Sequence, residues 1–172
     1  MKDYIFKNGL ILGAFMIFIS LMSYIMGVDF KLSLIWNLIE LITPLVFLIV
    51  LINQFKKINL GYLNFKNSFI VCFGLLAAST FIHTFFKILL FNYVDPSYGI
   101  ILQEATIQKL IVVMSDFFPD DVIDELIVDL ESQNSFSVSS LSKGYTSSLF
   151  FFVFLSLIIA LFVKKEAPIE TE

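Results

Sequence analysis

One carboxylate, Glu40, sits near the middle of the run SLIWNLIELITPLVFLIVLI, from Ser33 to Ile52, which is otherwise almost wholly apolar. Further along, Thr80, His83, Thr84 and Lys87 recur at three- and four-residue spacing, which on a helix places them on one face. An ionisable group inside an apolar run is a functional suspect by default, since an unpaired charge at mid-bilayer is unfavourable by about 2.5 to 3.5 kcal/mol on insertion scales. An acid, an imidazole and an amine at one depth could handle protons or ions, or grip a small ligand. The candidate polar seam is Asn37, Glu40, Thr43, Thr80, His83, Thr84 and Lys87, with Glu40 either protonated or paired to His83 or Lys87. A bland reading stands beside it: Lys87 snorkels to the head groups, His83 is a hydrogen-bonded packing residue and Glu40 stays neutral.

Catalytic templates do not occur. The chain has no H-E-x-x-H, no G-x-S-x-G and no P-loop, and one histidine with one cysteine cannot build a familiar zinc site. Ser79 and His83, four residues apart on one helix, read as packing rather than as nucleophile and base. The expectation is a protein that is not an enzyme, with no catalytic residue, no metal and no cofactor.

The elements that must hold the seam follow from composition. In 172 residues, 58% are hydrophobic and 21 are phenylalanine, with a mean hydropathy of +0.90, more apolar surface than one soluble core of this size can hide. Four apolar runs give spans at about 9–27, 32–52, 69–91 and 147–163, each near the roughly 20 helical residues that cross a hydrocarbon layer of about 30 Å. The Ser-rich approach SKGYTSSLFFFVFL offers to extend the last helix backwards. Lys2 and Lys7 precede the first span, but its length and the lack of a small-residue cleavage site mark it as retained rather than as a signal peptide. By a rise of about 1.5 Å per residue, Glu40 falls about 3 Å from the midplane, His83 about 6 Å and Lys87 about 10 Å, all to the same side. Pro44 frees a carbonyl near Glu40.

Every basic residue is lysine. Lysines cluster before the first span, between the second and third, and after the fourth, so the N and C termini are expected in the cytoplasm, with Lys31 the main dissent. The connection between spans three and four carries nine acids against Lys109 and Lys143, so this insertion, 92–146, is expected outside. It holds two amphipathic patterns. LQEATIQKLIVVM aligns Ile107, Leu110, Ile111 and Met114, and PDDVIDELIVDLE aligns Val122, Ile123, Leu126, Ile127 and Leu130. Pro119 suits the first turn of the second helix, and Asp120 and Asp121 suit its dipole. Its acidic face disfavours anionic lipid, so its apolar face is expected to pack on the outer ends of the spans as a cap. ESQNSFSVSSLSKG, after it, reads as a flexible approach to the last span.

Small residues mark the helix contacts. Gly9, Gly13, Ser20 and Gly27 recur at spacings of four and seven in the first span, and Ser156 and Ala160 repeat the pattern in the fourth, which lets a neighbouring backbone approach closely. Cys72, the single cysteine, reads as a small buried hydrophobe.

KNGLILG at the start, GYLNFKNSF leading into span three, FNYVDPSY after it and IIALFVKKEAP at the close resemble, in that order and spacing, the small four-span bacterial membrane proteins of domain of unknown function 4199. The resemblance implies a four-helix inner-membrane protein and carries no activity, cofactor or catalytic residue with it. The expected fold is therefore all-α: an integral membrane four-helix bundle in one domain, with an extracytoplasmic amphipathic helical insertion. Two functions compete, a non-catalytic structural or envelope-interaction role, and a small carrier or channel using Glu40 and His83. The partners expected are membrane lipid, an envelope protein met by the acidic insertion and a second copy of the chain, but not nucleic acid. A water-accessible cavity at Glu40 and His83 would favour the second function, and sealed packing the first.

Overall fold

The computed structural model describes residues 1–115 and 117–166. Seven α-helices follow in order: α1 Lys2–Met26, α2 Val28–Lys31, α3 Leu34–Ile58, α4 Phe65–Leu89, α5 Pro96–Met114, α6 Asp120–Ser132 and α7 Val138–Val163, with a π-helical turn, Leu90–Val94, continuing α4. Four apolar helices are long enough to cross a membrane: α1, α3, α4 with its π turn, and α7, at 25, 25, 30 and 26 residues. The protein is an all-α membrane helical bundle. Three of the spanning helices, α3, α4 and α7, outrun their apolar cores, because polar residues at their starts cap them. Ser33, Asn64 and Ser137 accept from the backbone N–H groups of Trp36, Asn67 and Ser140 at 3.3, 2.8 and 3.2 Å.

The capping at Ser137 corrects one expectation. The polar stretch 131–144 is not a flexible approach throughout, since α7 begins at Val138. Its hydroxyls bond back to the helix, Thr146 to the Ser142 carbonyl at 3.0 Å and Ser148 to that of Tyr145 at 2.7 Å, so polar side chains do not interrupt it.

Helix α4 is central, with α1 on one side and α7 on the other. A Cβ at Gly9 would lie 2.7 Å from Ala78 Cβ, and one at Gly13 3.0 Å from Ile82 Cβ, while Ile5 lies over Gly74. The register 5 to 74, 9 to 78 and 13 to 82 makes α1 and α4 parallel neighbours. Ser156 and Ala160 are fully buried in α7. Gly27 belongs to no such contact. Nothing lies within 4 Å of a Cβ built there, and its φ of +93° ends α1 instead, a conformation glycine adopts without steric penalty.

Helix α3 is packed at one end only. Leu48, Leu51, Ile52 and Phe55, all beyond Pro44, join the main core with Leu12, Val71 and Leu75, whereas Leu34 and Ile35 are each 73% exposed. The packed end is also clasped. Lys56 Nζ donates to the Val163 carbonyl at 2.7 Å, and Leu63 and Lys165 exchange two backbone hydrogen bonds of 2.8 Å. This is the tail end of the bundle; the insertion caps the other.

At the insertion end a second core gathers Leu90, Phe91, Tyr98 and Leu102 with Tyr24, Phe136 and Leu141. The two expected amphipathic helices are α5 and α6, but α5 starts earlier, at Pro96, because Asp95 caps it through the Tyr98 N–H at 3.0 Å. Pro119 is the residue before α6 rather than part of its first turn. Helix α6 makes its main contact with α5 rather than with the span ends. Ile107 and Ile123 are buried, yet Val122 at the edge of the same face is 44% exposed. Gln103 stitches the pair: its Nε2 donates to the Leu130 and Gln133 carbonyls at 3.0 and 2.7 Å, and its Oε1 accepts from the Ser135 N–H at 3.0 Å. The cap reaches the bundle through α5, where Lys109 donates to the Leu32 carbonyl.

Candidate functional site: a polar cleft between α1, α3 and α4

Pro44 lacks an N–H, so the carbonyl of Glu40, four residues earlier, loses its helical partner. Before Pro44, α3 has no buried residue, and a cleft of about 370 Å³ opens beside it. Its lining includes Asn37, Glu40, Thr80, His83 and Lys87, with Ser20 from α1. Five of the seven expected seam residues thus face one space. Thr43 and Thr84 line neither this cleft nor its neighbour; Thr43 is turned by about a third of a turn from the row Asn37, Glu40, Pro44.

The partner of Glu40 differs from expectation. Its carboxylate is ion-paired to Lys31, not to His83 or Lys87: Lys31 Nζ donates to Oε1 at 2.6 Å and also contacts Oε2. Trp36 Nε1 donates to Oε1 at 2.9 Å and Ser23 Oγ at 3.4 Å. The reason is local. Gly27 turns the chain, four-residue α2 follows, and the Lys31 stem returns along α3 to an acid nine residues ahead. The lysine that dissents from the charge rule is thereby accounted for.

His83 Nε2 instead lies 2.7 Å from Ser20 Oγ, so Ser20 is more than a small packing residue. Lys87 makes no ion pair among the described residues. It also lines a second, smaller cavity of about 160 Å³, which shares Ser20, Asn37 and Lys87 with the cleft and extends to Tyr24, Tyr98 and Phe136 under the cap. The Tyr98 hydroxyl is buried without a hydrogen-bond partner, and burial raises its pKa above the usual phenol range.

Asp95 fixes the lid of this smaller cavity. It accepts from Ser97 Oγ at 2.6 Å, the Tyr98 N–H at 3.0 Å and Tyr24 Oη at 2.9 Å, and these bonds, led by Ser97, hold its carboxyl below the usual range. A larger groove, about 530 Å³, runs between α5 and α6 past Gln103, Glu104, Gln108 and Glu131. It gathers no cation and no orphaned buried hydroxyl among the described residues. Among the described residues, no three His, Cys, Asp or Glu side chains are placed to hold a metal ion.

Sequence reasoning missed Lys31, Ser23, Trp36 and Tyr98. Two signals were present: a lysine that departs from the expected charge distribution, and an indole four residues before the acid, on its helical face.

The profile of a family described as protein of unknown function (DUF4199) matches residues 7–165. No curated protein and no solved structure matches the chain.

Proposed function

Because the chain belongs to the DUF4199 family, whose description assigns no activity, we propose from its geometry a non-catalytic inner-membrane protein that binds a small molecule in the cleft between α1, α3 and α4. The observation carrying this reading is that Glu40, His83 and Lys87 line one open space of about 370 Å³ within the spanning helices rather than being sealed in packed protein. Lysine placement supports an orientation with both termini in the cytoplasm and the insertion outside, in which the cleft lies in the outer half of the bilayer. Binding is favoured over conduction because the tail-end half is closed: Leu48, Ile52, Val71 and Leu75 are each 0% exposed. A carrier would have to open that core.

The test is native mass spectrometry of the protein extracted in mild detergent, beside Thr80→Phe, which fills the cleft. A retained small molecule in the native protein and its loss in the variant is the expected result. Identical spectra for the two would end the proposal. The acidic face of α6, with Asp121, Asp124, Glu125 and Asp129 all exposed, supports a second reading in which the cap meets a cationic envelope partner. Crosslinking from position 124 in living cells tests it.

A further inference from the structure

Resting on the cleft reading, the geometry points to the class of ligand: an amphiphile with a compact oxyanion head, a carboxylate or phosphate monoester. Its head sits in the 160 Å³ cavity on Lys87 and Asn37, beside Tyr98, and its chain lies in the larger cleft. Lys31 and Glu40 neutralise each other, which leaves Lys87 as the uncompensated charge on the walls of both spaces. A cation inside a spanning helix with no ion pair among the described residues is unfavourable unless something anionic meets it. Tyr98 lines the same small cavity, and its buried hydroxyl has no partner among the described residues. An unsatisfied buried donor is rare and calls for an acceptor. The Asn37 amide lines both spaces and supplies a further donor.

Two donors on the shared wall, Lys87 charged and Asn37 neutral, suit oxygen atoms bearing negative charge, since charge-assisted hydrogen bonds are about twice as strong as neutral ones. The smaller cavity is an order of magnitude larger than the roughly 10–15 Å³ that admits one water, so it takes a head of several heavy atoms. Beyond Lys87 the lining changes character. Met16, Ile19, Leu41, Pro44 and Phe152 give the larger cleft an apolar wall, which suits hydrocarbon and gives a free inorganic anion nothing. Head and chain are joined where Ser20, Asn37 and Lys87 border both spaces.

The protein carries its own reporter. Trp36 is the single tryptophan, and its indole N–H is bonded to Glu40 on the cleft wall. Full-length protein in a nonionic detergent is titrated with bromine-labelled tetradecanoate, which quenches tryptophan on contact, and competed with tetradecyl phosphate, tetradecyltrimethylammonium or inorganic phosphate. Saturable quenching is expected, displaced by the alkyl phosphate but not by the ammonium or by inorganic phosphate. Lys87→Gln should weaken binding about tenfold or more, with Lys87→Arg restoring most of it. Because Lys87 has no protein partner to orphan, the Gln variant should elute as native protein does, and the Arg variant guards against a folding artefact. Equal displacement by the cationic chain, or undiminished affinity in Lys87→Gln, overturns the anionic head while leaving the cleft reading standing. Displacement by inorganic phosphate alone overturns the amphiphile. No saturable quenching by any chain removes both proposals.

Discussion

Replacing Lys31 by methionine probes the site most directly. Its ammonium is the only charged partner of Glu40 among the described residues, and the two side chains are 22% and 23% exposed. An exposed ion pair contributes about 0–1 kcal/mol, whereas removing one partner of a buried pair costs about 3–5 kcal/mol. At this burial Lys31→Met is expected to destabilise by about 2–3 kcal/mol, since the donors left to Glu40, Trp36 Nε1 and Ser23 Oγ, are neutral. Glu40→Gln should be milder, about 1 kcal/mol, because the freed ammonium swings on its four-carbon stem toward the head groups. It should also leave the protein folded and inserted. The double variant should then lose less than the two single losses added together, with a coupling of about 1–2 kcal/mol. The assay is unfolding by sodium dodecyl sulfate in mixed micelles, followed by far-ultraviolet circular dichroism, on all four proteins. If Lys31→Met matches the native curve, or if the single effects add within about 0.5 kcal/mol, the pair is not what stabilises Glu40.

Three further outcomes are expected. Gly9→Val must push α1 from α4, because even its Cβ would meet Ala78 Cβ at 2.7 Å; a loss of about 1–3 kcal/mol in the same titration, partly recovered by adding Ala78→Gly, is expected. Asp95 has a depressed carboxyl pKa in the folded state, so its contribution is present above the unfolded value of about 3.9 and fades as pH falls through the lower folded value. Protection of the first amides of α5 against hydrogen exchange, taken relative to their intrinsic rates, should fall in that acid window, and Asp95→Asn should flatten the dependence. With Cys72 buried, Asp124→Cys should react with a membrane-impermeant maleimide on intact cells and Lys57→Cys only after lysis; the reverse pattern would invert the proposed orientation.

Much of the fold was legible because it is written in run lengths. Twenty or so apolar residues need a helix in lipid whatever their order, and the 3.6-residue rhythm of Ile107, Leu110, Ile111 and of Val122, Ile123, Leu126 announced α5 and α6. Depth arithmetic likewise brought Glu40 and His83 to one cleft. What stayed hidden depends on reach rather than rhythm. The Lys31 stem crosses a turn to Glu40, and no periodicity encodes that distance. The start of α7 was obscured because serine usually signals loop, and its helical use depends on the Ser137 cap and on back-bonding hydroxyls. Tyr98 escaped notice because an aromatic in a loop-to-helix junction resembles any other packing residue until its hydroxyl is found without a partner.

The clasp at the tail end carries a mechanical consequence. Leu63 and Lys165 are joined by a reciprocal pair of amide bonds, and Lys56 ties α3 to the exit of α7 beside them. With a pivot there, any tilt of α3 would be a lever motion, smallest at Lys56 and largest at the Leu34 end, so a ligand in the proposed cleft would be accommodated near Asn37 and not at the clasp.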